Sequence, residues 1–176
     1  MNNDAVNIGG ILIPFHSPVF LSIVGVHVLA GIACVISGIT AMLSRKGPGR
    51  HPAFGRIYFR SYIIVFITTI ILSLARWRED YYLLIIGVIA FAFALMGQFS
   101  FNARGKGWPA LHITGMGMSF ILLLTAFYLD NGKNLPVWKD LPSFMYWLLP
   151  NGIGIPLIIY ALFKYRNLKG KGKDLG

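Results

Sequence analysis

Acidic residues are scarce in this chain. Six Asp and Glu stand against 16 Lys and Arg in 176 residues, and charged residues make up only 12%, against about 25% in an ordinary soluble domain. No Asp or Glu falls inside a long apolar run, which excludes paired-carboxylate acid–base work and a carboxylate proton relay there. Cysteine is nearly absent too. The single Cys34 rules out an intramolecular disulfide and a cysteine pair for zinc. There is no Walker-type phosphate loop, no His-Glu-x-x-His and no serine beside an obvious base, so hydrolytic chemistry is disfavoured. Met1 to Pro14 contains no Lys or Arg, so the basic start of a cleavable signal peptide is missing and the first apolar run is expected to stay as a membrane span. No internal repeat, soluble domain or low-complexity tract stands out apart from a basic tail.

What the chain has in abundance is apolar surface: 56% hydrophobic residues and a mean hydropathy of +0.65. One small core cannot hide that much, and too few polar residues remain to cover the outside in water. Lipid removes the difficulty. Five runs approach or reach the roughly 20 residues that cross a 30 Å hydrocarbon layer: residues 19–43, 57–74, 81–101, 110–129 and 144–163. Backbone groups find no partner in lipid, so each run must be helical, and the lack of strict alternation argues against barrel strands. The expected architecture is all-α: a polytopic membrane helical bundle of about five transmembrane helices, forming one integral membrane domain over residues 1–176 with a basic tail at 164–176.

The net charge of +10 could suggest nucleic acid, but its placement does not. Arg45, Lys46, Arg50, Arg56, Arg60, Arg104, Lys106, Lys164, Arg166, Lys169, Lys171 and Lys173 fall on one side of the spans. Only Arg76, Arg78, Lys133 and Lys139 fall on the other, together with Asp4, Glu79, Asp80, Asp130 and Asp140. Positive charge gathers on the cytoplasmic side, so the N-terminus is expected outside, the C-terminus in the cytoplasm, and the whole chain in a bacterial cytoplasmic membrane. Short Gly- and Pro-rich loops at 46–50 and 104–107 make sequential helices antiparallel neighbours. Trp77, Tyr81, Tyr82, Trp108, Trp138, Tyr146, Trp147 and Tyr165 stand near run ends, where interfacial anchors belong.

Three constellations could carry chemistry. On the first helix His27, Gly31, Cys34 and Gly38 recur at helical spacing, so small residues headed by an imidazole form a packing face. His27 would then lie roughly 12 Å inside the outer boundary, where an ionisable group is a candidate for function. The plainer reading is a neutral imidazole bonded to Thr68, Thr69 or Ser73. At the cytoplasmic edge Arg50, His51, Arg56 and Arg60 cluster, with His112 entering from the same side. Such a set could hold an anionic headgroup, a phosphate, a quinone head or haem propionates, or it could be an ordinary positive-inside loop. Within the fifth run Pro150, Asn151 and Pro156 predict a kink or local unwinding, which in transporters marks a binding site and elsewhere is only a kink.

The stretch His27-x3-Gly31, Gly38 and Arg50-His51-Pro52-Ala53-Phe54-Gly55-Arg56-Ile57-Tyr58 resembles a family of bacterial membrane proteins, domain of unknown function 2306. Its members place a histidine and a glycine on the first helix before a basic loop of the form His-Arg-x-x-Gly-Arg-x-Tyr. Pro52 stands here where an arginine is usual. The resemblance covers residues 27–60; it implies a membrane fold and brings no activity with it.

Three functions compete. An accessory protein binding a lipid, ligand or membrane partner needs no cofactor, and no catalytic set is complete. A haem b protein carrying electrons across the membrane would use inward histidines, with His27 paired to Met116 or Met118 and His51 paired to His112. A small transporter would use the fifth helix and would have to form a homo-oligomer. The lipid bilayer and anionic headgroups are the expected partners, nucleic acid is not, and the residues leave metal binding open.

Overall fold

The computed structural model describes the backbone of residues 5–8, 11–14, 18–136 and 138–171, and side chains over 18–136 and 138–166. Asp4 and Lys173, used in the charge count, lie outside the described residues, as do the side chains of Lys169 and Lys171. Among the described residues five helices are long and apolar enough to cross a membrane: α1 Pro18–Leu43, α2 Arg50–Ala75, α3 Trp77–Ala103, α4 Trp108–Asn131 and α5 Phe144–Lys171. The chain is a multi-pass membrane protein of helical-bundle type. Ahead of α1 stands a feature the apolar runs did not reveal, an antiparallel hairpin of β1 (Ala5–Ile8) and β2 (Ile11–Pro14), with Ala5 opposite Pro14 and Ile8 opposite Ile11.

The helices outrun the apolar segments because hydropathy marks only the part that needs lipid, while the hydrogen-bonded ladder propagates into the polar interface. α2 shows this most clearly. It begins at Arg50 instead of residue 57, and Pro52 does not stop it because the first-turn N–H groups have no intrahelical acceptor to lose. Gly49 at φ 114° and Gly107 at φ 82° precede α2 and α4 in a backbone region open to glycine. The end of α3 is less usual: Arg104, not a glycine, takes φ 47° while its N–H closes on the Ser100 carbonyl at 3.1 Å. α5 runs as one helix through Pro150 and Pro156, so it is not broken, although each proline leaves a carbonyl four residues back without its N–H donor.

The chain divides into two compact units, residues 1–88 and 89–176, with the boundary inside α3. In the first, α1 and α2 pack as an antiparallel pair. The buried face of α1 is Ala30, Cys34, Ser37, Gly38 and Ala41, and α2 sets Tyr58, Tyr62, Thr68 and Ser73 in its own buried positions. Small side chains on one helix thus accept large ones from the other. Gly31, expected at the close approach, stands apart from it: a Cβ built there meets nothing within 4 Å. The face is turned by about a residue step, and Ala30 takes the place given to Gly31.

In the second unit the small residues do bring backbones together. A Cβ on Gly115 would stand 2.5 Å from the Gly97 nitrogen and 2.7 Å from the Phe93 carbonyl oxygen, so α3 and α4 cross in near backbone contact. α4 and α5 interlock reciprocally. Gly117 makes room for Ile158, and Gly154 makes room for Ile121, a knob and a hole on each helix. Gly154, between the two prolines of α5, is a packing hole. Inside, hydroxyls of Ser119 and Thr125 are buried at 0% exposure, whereas Leu29 and Leu43 stand 69% and 82% exposed. Polar within and apolar without is the distribution that lipid imposes.

Candidate functional site

His27 on α1 is half-buried and faces α2. Its Nδ1 lies 2.8 Å from the Thr68 hydroxyl on α2. That hydroxyl also stands 2.8 Å from the Ile64 carbonyl and 2.9 Å from that of Val65. A hydroxyl has one proton, and a carbonyl can only accept, so Thr68 donates to its own helix and His27 donates to Thr68 through Nδ1–H. Above this pair an open, apolar groove of about 390 Å³ runs between α1 and α2, lined by Val19, Ser22, Val26, Thr68 and Ile71 among others.

His51 does something else. Its Nδ1 donates to the Ala41 carbonyl at 2.8 Å, while the Lys46 ammonium reaches the Met42 carbonyl at 3.0 Å and that of Ala41 at 3.4 Å. These are C-terminal carbonyls of α1, left without N–H partners, and α1 has no basic residue in its own last turn. The loop and the start of α2 supply the cap, with cationic Lys46 at the favourable end of the helix dipole. Arg50, Arg56 and Arg60 are all exposed. Thr68, the partner of His27, stands 17 residues beyond His51 on α2, so the two imidazoles lie about 25 Å apart along the helix. They cannot ligate one haem.

In the second unit His112 donates through Nδ1 to the Gly97 carbonyl at 2.9 Å. Its ring is flanked by Phe101 at 5.6 Å and Trp108 at 6.3 Å between centroids, and Arg104 lies over Phe101 at 5.6 Å. Met116, one turn on, packs its side chain against Gly97. His112 and Met116 share one helix face, which cannot address the two opposite sides of a haem. Met118 is half-buried. Asn151 donates to the Trp147 carbonyl at 2.7 Å on its own helix and to the Thr125 hydroxyl of α4 at 3.3 Å; it ties α5 to α4. Pro150 is buried and Pro156 exposed.

Several of these roles had a signal in the chain. Ala90, Ala94 and Gly97 on α3, and Gly115 and Ser119 on α4, are small residues three or four apart, and all are buried at the α3–α4 crossing or beside it. That spacing is a mark of close helix approach in lipid. The cap made by His51 had no local signal, because it depends on the register of α2 against α1. Among the described residues no three His, Cys, Asp or Glu side chains come together to hold a metal ion. Compared with protein-family models, with curated proteins and with solved structures, the chain matches none.

Proposed function

We propose that the chain is an accessory protein of the bacterial cytoplasmic membrane that binds anionic phospholipid at its inner face, with the N-terminus outside and the C-terminus in the cytoplasm. The observation that carries the reading is the exposure of Arg50, Arg56 and Arg60, with no acidic residue anywhere between positions 5 and 78 to neutralise them. Headgroup phosphates are the anions nearest to hand, and guanidinium groups bind them bidentately. The histidines support the same view from the other direction. Each of His27, His51 and His112 gives its Nδ1–H to an oxygen of a neighbouring helix or helix end, so each has an architectural task. Among the described residues, His27 and His51 of the first unit lie too far apart to ligate one haem, and a broken-helix transport site has no counterpart in the continuous α5. The resemblance over residues 27–60 to domain of unknown function 2306 suits a membrane protein without a named reaction.

The test is purification in mild detergent with analysis of the retained lipid. Phosphatidylglycerol should be enriched over its share of the membrane, and a reporter fused after Gly176 should be active in the cytoplasm. Retained lipid that mirrors the bulk composition overturns the binding, and a periplasmic reporter overturns the orientation. A stoichiometric haem band in the visible spectrum would replace this reading with electron transfer.

A further inference from the structure

Resting on that lipid-binding reading, we infer that Arg56 and Arg60 form a discrete clamp for the phosphate of one anionic phospholipid, drawn below the ordinary headgroup level of the inner leaflet.

The argument begins with depth. α2 runs from Arg50 to Ala75, 26 residues, or about 39 Å of helix, longer than the roughly 30 Å hydrocarbon layer. Its outer end is fixed by charge. Immediately past Ala75, Arg76 bridges to Glu79 and stands 3.6 Å from Asp80, groups that belong in the polar interface. Counting about 20 residues inward from Ala75 brings the inner boundary to Arg56. Arg60 therefore lies four residues, or about 6 Å, inside the hydrocarbon. A tilted helix would place it deeper still.

The face matters as much as the depth. Ile57, Ile64, Ile67, Ile71 and Leu74 are exposed large apolar residues on α2, and with Arg60 inserted they recur at steps of three and four. Arg60 thus occupies a position of the lipid-facing stripe where an isoleucine would complete the pattern. An arginine there extends its stem along the helix and lifts the guanidinium toward the interface. One turn above stands Arg56, also exposed, at the i,i−4 spacing that brings two side chains together. Two guanidiniums side by side repel unless an anion lies between them.

The described acids of the first unit, Glu79 and Asp80, stand beyond the opposite end of α2, so neither can lie between Arg56 and Arg60. A phosphodiester with its acyl chains lying along the isoleucine stripe satisfies both the charge and the apolar surface.

Native mass spectrometry of the full chain in dodecylmaltoside micelles doped with phosphatidylglycerol or phosphatidylcholine tests the clamp. Arg60→Ile continues the stripe, so folding is not at stake, and thermal unfolding verifies it. The substitution should lower retention of phosphatidylglycerol about tenfold, Arg56→Ala should do the same, and Arg45→Ala should change it less than about threefold. Arg60→Lys, which keeps the charge and loses the fork, should fall between. Equal losses for Arg60→Ile and Arg45→Ala overturn the clamp and leave a diffuse basic belt. Displacement of the lipid by millimolar inorganic phosphate, or an acidic protein lost with Arg60→Ile while lipid counts hold, overturns the lipid as occupant. No preference for phosphatidylglycerol in the wild type refutes the underlying binding itself.

Discussion

Replacing Gly115 with alanine tests the α3–α4 crossing at its tightest point. The new Cβ would stand 2.5 Å from the Gly97 nitrogen, 2.7 Å from its Cα and 2.7 Å from the Phe93 carbonyl oxygen. Ordinary contact begins near 3.4 Å, so the helices must part by about 0.9 Å at that point. All three obstacles are backbone, and no rotamer change relieves them. Overpacking of this kind belongs at the upper end of its usual cost, about 3 kcal/mol. The better helix propensity of alanine returns about 1 kcal/mol, for a net loss of about 2 kcal/mol. In a chain of this length that is a fall in melting temperature of about 4–8 °C. Gly31→Ala is the control, because nothing lies within 4 Å of its Cβ and only the propensity gain remains, a rise of about 2–4 °C. Thermal unfolding of both variants in one detergent gives the comparison. If Gly115→Ala melts with or above Gly31→Ala, the close crossing is wrong.

Thr68→Val removes the acceptor for His27 at nearly constant volume and should cost about 1 kcal/mol; a stability equal to wild type in steric-trapping measurements would show that the tie contributes nothing. His51→Ala deprives the Ala41 carbonyl of its 2.8 Å donor and should destabilise by about 1 kcal/mol, with faster amide exchange confined to the last turn of α1; unchanged exchange there contradicts the cap. Arg104→Gly relieves a left-handed residue at the end of α3 and should stabilise by about 1 kcal/mol, less what the contact with Phe101 contributes. A clear loss of stability would mean that the arginine holds the loop through more than that ring.

How far a sequence discloses such a fold depends on which interactions are local. Apolar length is local, and it located all five helices; their ends were misjudged wherever the ladder continues through polar residues, as in α2 from Arg50 to Arg56. The buried face of α1 was legible at Cys34 and Gly38 but not to the nearest residue, since Ala30 and Gly31 are both small and only the partner helix separates them. The bond from His27 to Thr68 was among the alternatives because both residues lie at similar depth on adjacent antiparallel helices. The reciprocal pockets of Gly117 for Ile158 and Gly154 for Ile121 depend on helix register, which no spacing within one helix reveals. The prolines of α5 pointed to a kink or local unwinding; the helix runs on through both positions, Asn151 reaches the Trp147 carbonyl and Thr125, and Gly154 interlocks with α4.

The polar groups inside the spans share a pattern that bears on function. Ser37, Thr68, Ser119 and Thr125 each bond a carbonyl three or four residues back in their own helix, and the three described histidines bond outward to a neighbouring helix or a helix end. In lipid, a polar side chain left unsatisfied costs several kcal/mol. Groups with partners inside the protein therefore have little to offer a passing ligand, and a hydroxyl already bonded to its own helix is a poor stepping stone for transport. Arg56 and Arg60 differ in this respect: they are exposed, close in register and remote along α2 from Glu79 and Asp80, the described carboxylates of their own unit. The physical demand for an outside partner is greatest there, on the lipid side of α2, and it is a demand for negative charge.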